Sequence, residues 1–352
     1  MGKKWFVLLF VAALILPSLI GCGAAAPAEP TAPAADSAPA TEAPAAEADA
    51  GAAMTYPTEA INIMAPAAPG GGWDQTARAM QTALTKSSGQ NVQVYNVAGA
   101  GGTVGLAQFV NDHNGNPHQL MVGGLVMVGA IQTNKSPVTL DQVTPIASLT
   151  TEWEAIVVPA DSKYETLQQL VDDFKANPTS ISWGGGSAGG SDHILVGLIA
   201  KAAGVDPAKI NYVAFSGGGE ATAAILSGAV TAGVSGLSEF RDQVTAGKMR
   251  LLAVSSDKAI EGVDAPTIKE AAGLDIVFAN WRGVFAPSGL SAEQQAAVVV
   301  AIEKMHDTPE WQQALEQNGW TDFFQAGNEF ATFLQSERTR VEGVLTDIGL
   351  VE

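Results

Sequence analysis

From Tyr56 onward the chain alternates short apolar runs with stretches of helical spacing. The runs INIMAP, NVQVYNV, QLMVGGL, EAIVVP, SISWG, INYVAF, VTAGVSG and RLLAVSS are mostly unbroken and β-branched, the pattern of strands covered on both faces. Helices are predicted between them over 73–87, 166–176, 192–203 and 219–226. Residues 291–348 read as mainly helical, with starts at Ser291 and at TPEW, where Pro309 suits a first-turn position. Strands and helices in this alternation define an α/β chain.

Glycine gathers where strands pass into helices. In INIMAPAAPGGGWDQTARAM an apolar run breaks on prolines and on Gly70, Gly71 and Gly72 before helical spacing begins. Glycines there let the backbone turn tightly and leave its amides uncovered. The first helical amides have no internal partner, and the helix dipole adds about half a positive charge, so the junction suits an anion. A turn that merely needs glycine is the plain alternative. No Lys-Ser or Lys-Thr follows, which argues against a phosphate loop. Asp74 lies one helical turn before Arg78 and can pair with it, or can accept from a ligand hydroxyl or ammonium. The architecture recurs in SISWGGGSAGGSDHILVGL, with Ser187, Ser191 and His193 as donors, in INYVAFSGGGEATAAIL, and in NVAGAGGTVGLAQF with Gly99, Gly101, Gly102 and Thr103. Polar turns at strand ends, in a chain long enough for two lobes, suggest a ligand clamped in a cleft.

Charge sharpens this picture. The formal net charge is -18, which argues against a nucleic-acid groove or a basic lipid-binding patch, so an anionic ligand must be held by local groups. At the N-terminus Lys3 and Lys4 precede an apolar run that ends in LIGC, as in an export signal. Cys22, the chain's one cysteine, resembles the lipobox cysteine of bacterial lipoproteins, which is lipidated and becomes the mature N-terminus. Residues 23–55 are rich in Ala, Pro, Glu and Thr without apolar period and read as an extended tether.

The segments APGGGWDQTAR, NVAGAGGTVG, VVPADSKYETLQQLV, WGGGSAGGSDH, NYVAFSGGGEATAAILSGAV, AGKMRLLAVSS and NWRGVFAPSGLS occur in the order seen in solute-binding proteins of tripartite tricarboxylate transporters. The chain from Ile61 to Leu350 resembles this Bug or TctC family. The resemblance implies a two-lobed, type II periplasmic-binding fold that closes on a carboxylate and delivers it to a membrane permease. Chain order suggests a lobe formed by 56–157 and 281–352, a second lobe of 158–280, and two crossings between them as a hinge. The resemblance also implies that the turn at Pro69 to Asp74 faces the turn at Gly186 to His193. The candidate ligand-binding set is Pro69, Gly70, Gly71, Gly72, Trp73, Asp74, Gly102, Thr103, Gly186, Ser187, Ala188, Gly190, Ser191, His193, Gly217, Gly218, Glu220 and Arg282. No cofactor, metal or catalytic residue is expected, and a lipid-anchored extracytoplasmic monomer is. Where family members usually carry an Asn-Arg-Pro turn, this chain has NVAGAGG.

Arg282 stands in the apolar segment VFANWRGVFAP, on the side opposite Trp281, where a guanidinium is costly without a partner. An internal carboxylate such as Asp74 or Glu220 is the expected partner, with a second carboxylate of the ligand as the functional alternative. Two other functions are weighed. A receptor of this kind can instead pass its signal to a membrane kinase. A serine hydrolase is suggested by G-x-S-x-G at 185–189, yet it needs a base, and only His193, six residues beyond Ser187, and His306 follow in order.

Overall fold

The computed structural model describes residues 54–351; the export signal with Cys22, and the tether as far as residue 53, lie outside them. The elements run β1 (Ile61–Ala65), α1 (Gly72–Ser88), β2 (Val92–Asn96), α2 (Thr103–Asp112), β3 (Gln119–Gly124), α3 (Leu125–Thr133), β4 (Val143–Pro159), α4 (Leu167–Ala176), β5 (Ser182–Gly185), α5 (Ser191–Ala203), β6 (Asn211–Ala214), α6 (Gly218–Leu226), β7 (Ala232–Gly236), α7 (Leu237–Thr245), β8 (Met249–Val254), α8 (Ile268–Ala272), β9 (Ala279–Pro287), α9 (Ala292–His306), α10 (Pro309–Asn318), β10 (Thr321–Ala326) and α11 (Asn328–Asp347). The α/β alternation expected from the apolar pattern is present.

Helix α1 shows how the sequence sets an element. Trp73, Ala77, Met80 and Leu84 recur at helical spacing and form its buried face, and Asp74 stands in its first turn. Gly89 ends it in the left-handed region at φ 69°, its amide closing on the Thr85 carbonyl. The structure differs from expectation at two elements. Helix α3 follows β3 directly, because LVMVGAIQT is apolar nearly all round and carries no helical contrast. The tail contains the strand β10 between α10 and α11, a half-buried TDFFQA segment paired to β4.

Strands run in the order β2-β1-β3-β9-β4-β7-β5-β6, with β8 and β10 also paired to β4. β1 is parallel to β2 and β3, and β5 is parallel to β6 and β7. The long strand β4 joins the two sets. Its residues Val143 to Trp153 pair antiparallel with β9, and Glu154 to Val157 pair with β7. The partner changes between Trp153 and Glu154, so one strand carries both sheets. Apolar side chains of both sheets are buried, among them Ile63, Met121, Ile156, Trp183 and Val234.

Candidate functional site

The parallel strands β1, β2, β5 and β6 end in the glycine turns that start α1, α2, α5 and α6. β7 does the same at Gly236, ahead of α7. In open α/β sheets such carboxyl-end turns surround the ligand crevice. Here they surround a cleft.

Turns from the two sheets press together at this cleft. A Cβ on Gly71 would lie 3.6 Å from the Gly217 Cα, and one on Gly101 would lie 3.3 Å from the Ser187 Cβ. The Ala68 amide donates to the Ser216 carbonyl at 3.5 Å. Glycine at 71 lets two backbones approach, and glycine at 101 also meets a φ of 62°.

Of the expected residues, Gly71, Gly72, Trp73, Gly102, Gly186 and Ser187 line the cleft. So do Gly190, Ser191, Gly217, Gly218 and Arg282. The others do not. Pro69 and Gly70 are exposed on the outer side of their turn, and Ala188 is likewise exposed, its carbonyl accepting from the Thr133 hydroxyl at 3.3 Å. The Thr103 hydroxyl turns back to the Ala100 carbonyl at 2.8 Å. Glu220 is exposed and accepts from the Ser216 amide at 3.0 Å, closing its own turn.

Asp74 is buried and fully engaged. It accepts from the Gly70 amide at 2.9 Å, from Arg78 Nε at 3.0 Å and from Asn96 Nδ2 at 3.0 Å. Burial raises its pKa, and the hydrogen bonds from Arg78, Gly70 and Asn96 outweigh that, so it titrates below the usual carboxylate range. The pairing with Arg78 expected from spacing is present, and it leaves Asp74 without a ligand role.

The amides of the first glycine turn are also largely committed. The Gly70 amide donates to Asp74, the Gly71 amide to the Ala68 carbonyl at 3.3 Å, and the Gly72 amide to Glu239 Oε1 at 3.2 Å. The expectation that all three glycine amides face a ligand is therefore corrected. Side-chain and carbonyl oxygens of the chain itself hold them. What remains at the start of α1 are the Trp73 and Asp74 amides, which lie too early in the helix to reach a helical carbonyl.

Residues that the sequence reading left out of the candidate set complete the lining. They include Val126, Asp192, Ser216, Ser235, Glu239 and Asn280. Ser235 and Glu239 lie in VSGLSEF, which repeats the strand, glycine, helix pattern used to find the other turns. Asn280 immediately precedes Trp281 and Arg282 in NWRG.

Arg282 sits at the floor of the cleft, 1% exposed. Its internal partner is Glu152 on β4 rather than Asp74 or Glu220. Glu152 also accepts from the Ser238 amide at 2.6 Å, and the Trp320 ring lies 5.3 Å from the guanidinium carbon. Burial works against the guanidinium charge, but Glu152 and Glu239 outweigh it and hold its pKa above the ordinary value. Its Nη1 is buried with no hydrogen-bond partner, as are Asn280 Oδ1 and Glu239 Oε2. Glu154, fully buried, is pushed well above the carboxylate range by burial, Asp192 and Glu152. Asp192 is raised by burial despite accepting from the Gly186 amide at 2.6 Å and the Ser191 hydroxyl at 2.8 Å. Among the described residues no three His, Cys, Asp or Glu side chains converge as a metal site.

His193 has a structural setting. Its Nδ1 accepts from the Gly189 amide at 3.2 Å, its ring stacks on Tyr212 at 4.1 Å, and burial pushes its pKa down to about 4. His306 reaches Asp322 at 3.0 Å, on a strand remote from the turn that carries Ser187. Neither is hydrogen-bonded to Ser187 among the described residues, so the base that a G-x-S-x-G nucleophile requires is not assembled there.

Comparison with known proteins gives this geometry a context. Residues 76–350 match the family described as the tripartite tricarboxylate transporter family receptor, TctC. A protein from the tcbD-tcbE intergenic region of Pseudomonas sp. strain P51 is 29% identical over 300 residues, 84% of this chain and 88% of the relative. The periplasmic binding protein BugD shares the fold with a TM-score of 0.74 at 22% identity, over 84% of this chain and 99% of BugD. MatC from Rhodopseudomonas palustris, solved with malate, gives a TM-score of 0.74 at 25% identity, over 82% of this chain and all 100% of MatC. The architecture is thus the two-lobed periplasmic-binding fold, and the chain belongs to the tripartite tricarboxylate transporter receptor family.

Proposed function

We propose that this protein captures a small organic carboxylate outside the cytoplasm and hands it to the permease of a tripartite tricarboxylate transporter. The carrying observation is Arg282, buried at the cleft floor with one guanidinium nitrogen already paired to Glu152 and Nη1 unbonded. A buried, unpaired donor of fixed charge is matched by a carboxylate oxygen, through a charge-assisted hydrogen bond. The Ser187 and Ser216 side chains and the early amides of α1, α5 and α6 supply further donors around it. MatC, solved with malate, supports a dicarboxylate as the ligand class.

The lobes in this reading are 56–153 with 279–352, and 154–278. The partner change in β4 supports the first crossing, and the start of β9 at Ala279 supports the second. Both lie within a few residues of the boundaries expected from sequence. Ligand caught between lobes favours the closed form by its differential affinity for it, and the permease reads that form. The export signal and Cys22 support a lipid anchor on the outer face of the membrane, with the tether holding a monomeric receptor clear of the lipid.

Thermal-shift titration with malate, succinate, adipate and citrate tests the receptor role. A ligand at a hundred times its Kd stabilises the native state by about 2.7 kcal/mol, enough to move the midpoint by several degrees. At least one of these acids raises the melting temperature while its methyl ester does not. Equal, negligible shifts with acids and esters would remove the reading.

A further inference from the structure

Glu239 is the cleft residue whose chemistry the receptor role leaves unexplained. It stands in the first turn of α7, and a carboxylate beside an anion site opposes binding unless it carries a proton. The groups facing it come from each element packed against it: Arg282 on β9, Glu152 and Glu154 on β4, Asp192 on α5, the Gly72 amide on α1 and the Gly218 backbone on α6. Three carboxylates, Glu152, Glu239 and Glu154, thus share one guanidinium, and Glu152 already claims it. The two oxygens of Glu239 are not equivalent. Oε1 accepts from the Gly72 amide at 3.2 Å, whereas Oε2 is buried without a partner. Arg282 lies against the same Gly72 through Nη2 and Nε, so the Arg282 and Glu239 side chains share one corner of the cleft, while Oε2 lies toward Gly218.

We infer that Glu239 is a ligand-binding residue that acts as a carboxylic acid, donating from Oε2 to a ligand carboxylate whose other oxygen accepts from Arg282 Nη1. The inference rests on the receptor reading and names the subsite for the ligand's far carboxylate. Its oxygens need donors only, and an ionised Glu239 would be an acceptor at the wrong place. Burial first, then Asp192, pushes Glu239 up to about 8, so in the empty cleft it is protonated at neutral pH. The bound anion raises that pKa further, and the complex therefore holds a proton that the free protein releases above pH 8. The sign follows: affinity is constant below the free pKa and falls about tenfold per pH unit above it.

Calorimetry with malate at pH 7 and pH 9, on the whole chain and on Glu239→Gln, tests this. The wild type loses about tenfold in affinity from pH 7 to pH 9 and takes up about one proton on binding at pH 9. The Gln variant, which keeps an oxygen for Gly72 and an N–H donor for the ligand, binds at pH 7 and loses nothing at pH 9. Wild-type affinity that is flat or rises with pH overturns the inference. If none of the four acids binds at either pH, the receptor reading falls and this inference with it. A carbon-13 titration of labelled glutamate carboxyls, with the Glu239 resonance assigned by its loss in Glu239→Gln, gives a second reading. One resonance with a midpoint near pH 8 moves higher when malate is added, and a midpoint that malate does not move overturns the inference.

Discussion

Arg282 and Glu152 are each 1% exposed, and the pair stands in for the charge compensation that water gives elsewhere. Removing one partner is worse than removing both. Glu152→Ala leaves the guanidinium uncompensated and also strips the acceptor from the Ser238 amide, so a loss of about 3–5 kcal/mol is expected in urea unfolding. The double substitution Glu152→Leu with Arg282→Met is expected to lose less than Glu152→Ala alone. A double variant at least as unstable as the single one would show that the pair is not the source of the cost. The need for an internal carboxylate at Arg282 was legible in the apolar segment around it. Its identity was not, because Glu152 is 130 residues away in the chain. The signal was nonetheless present: Glu152 and Glu154 share one face of a strand that carries no other charge, as Arg282 is the one charge in its own segment.

At the scale of elements, the sequence revealed where strand, glycine and helix meet but not which amides stay free. That choice depends on oxygens brought in by other elements, as when Glu239 on α7 takes the Gly72 amide of α1. The knot at the start of α1 is more local. Asp74 ties Gly70, Arg78 and Asn96 together and fixes the angle at which the helix leaves β1. Because its folded pKa is depressed, its contribution is present above the unfolded value of about 3.8 and is lost as pH falls through the folded one. Asp74→Asn is therefore expected to melt lower than the wild type at pH 7, with the difference shrinking below pH 4. A gap that persists undiminished at pH 3 would mean that packing rather than charge holds the knot. Helix α3 and strand β10 were hidden for opposite reasons: one is apolar on every side, and the other is half-exposed with no clean alternation.

Over the whole molecule, a net charge of -18 repels the anion that the cleft is built to take, so binding depends on local donors and on keeping water out by closure. Glycines let the turns of the two sheets approach closely, and Gly129 on α3 is one of them. A Cβ at Gly129 would run into the Gly189 carbonyl in the turn before α5, yet Gly129 itself does not line the cleft. Gly129→Ala therefore separates closure from ligand contact. The helix itself tolerates alanine better than glycine, so the unliganded protein is expected to unfold no earlier than the wild type. The added methyl favours the open arrangement, and apparent affinity falls in proportion to the fraction of molecules able to close. A tenfold weaker malate affinity corresponds to about 1.4 kcal/mol taken from the closed form. Small-angle scattering with saturating malate reads the same equilibrium directly. The wild type contracts on adding ligand, and the variant contracts less at equal occupancy. If Gly129→Ala binds malate as the wild type does and contracts as fully, apposition of these turns does not limit closure.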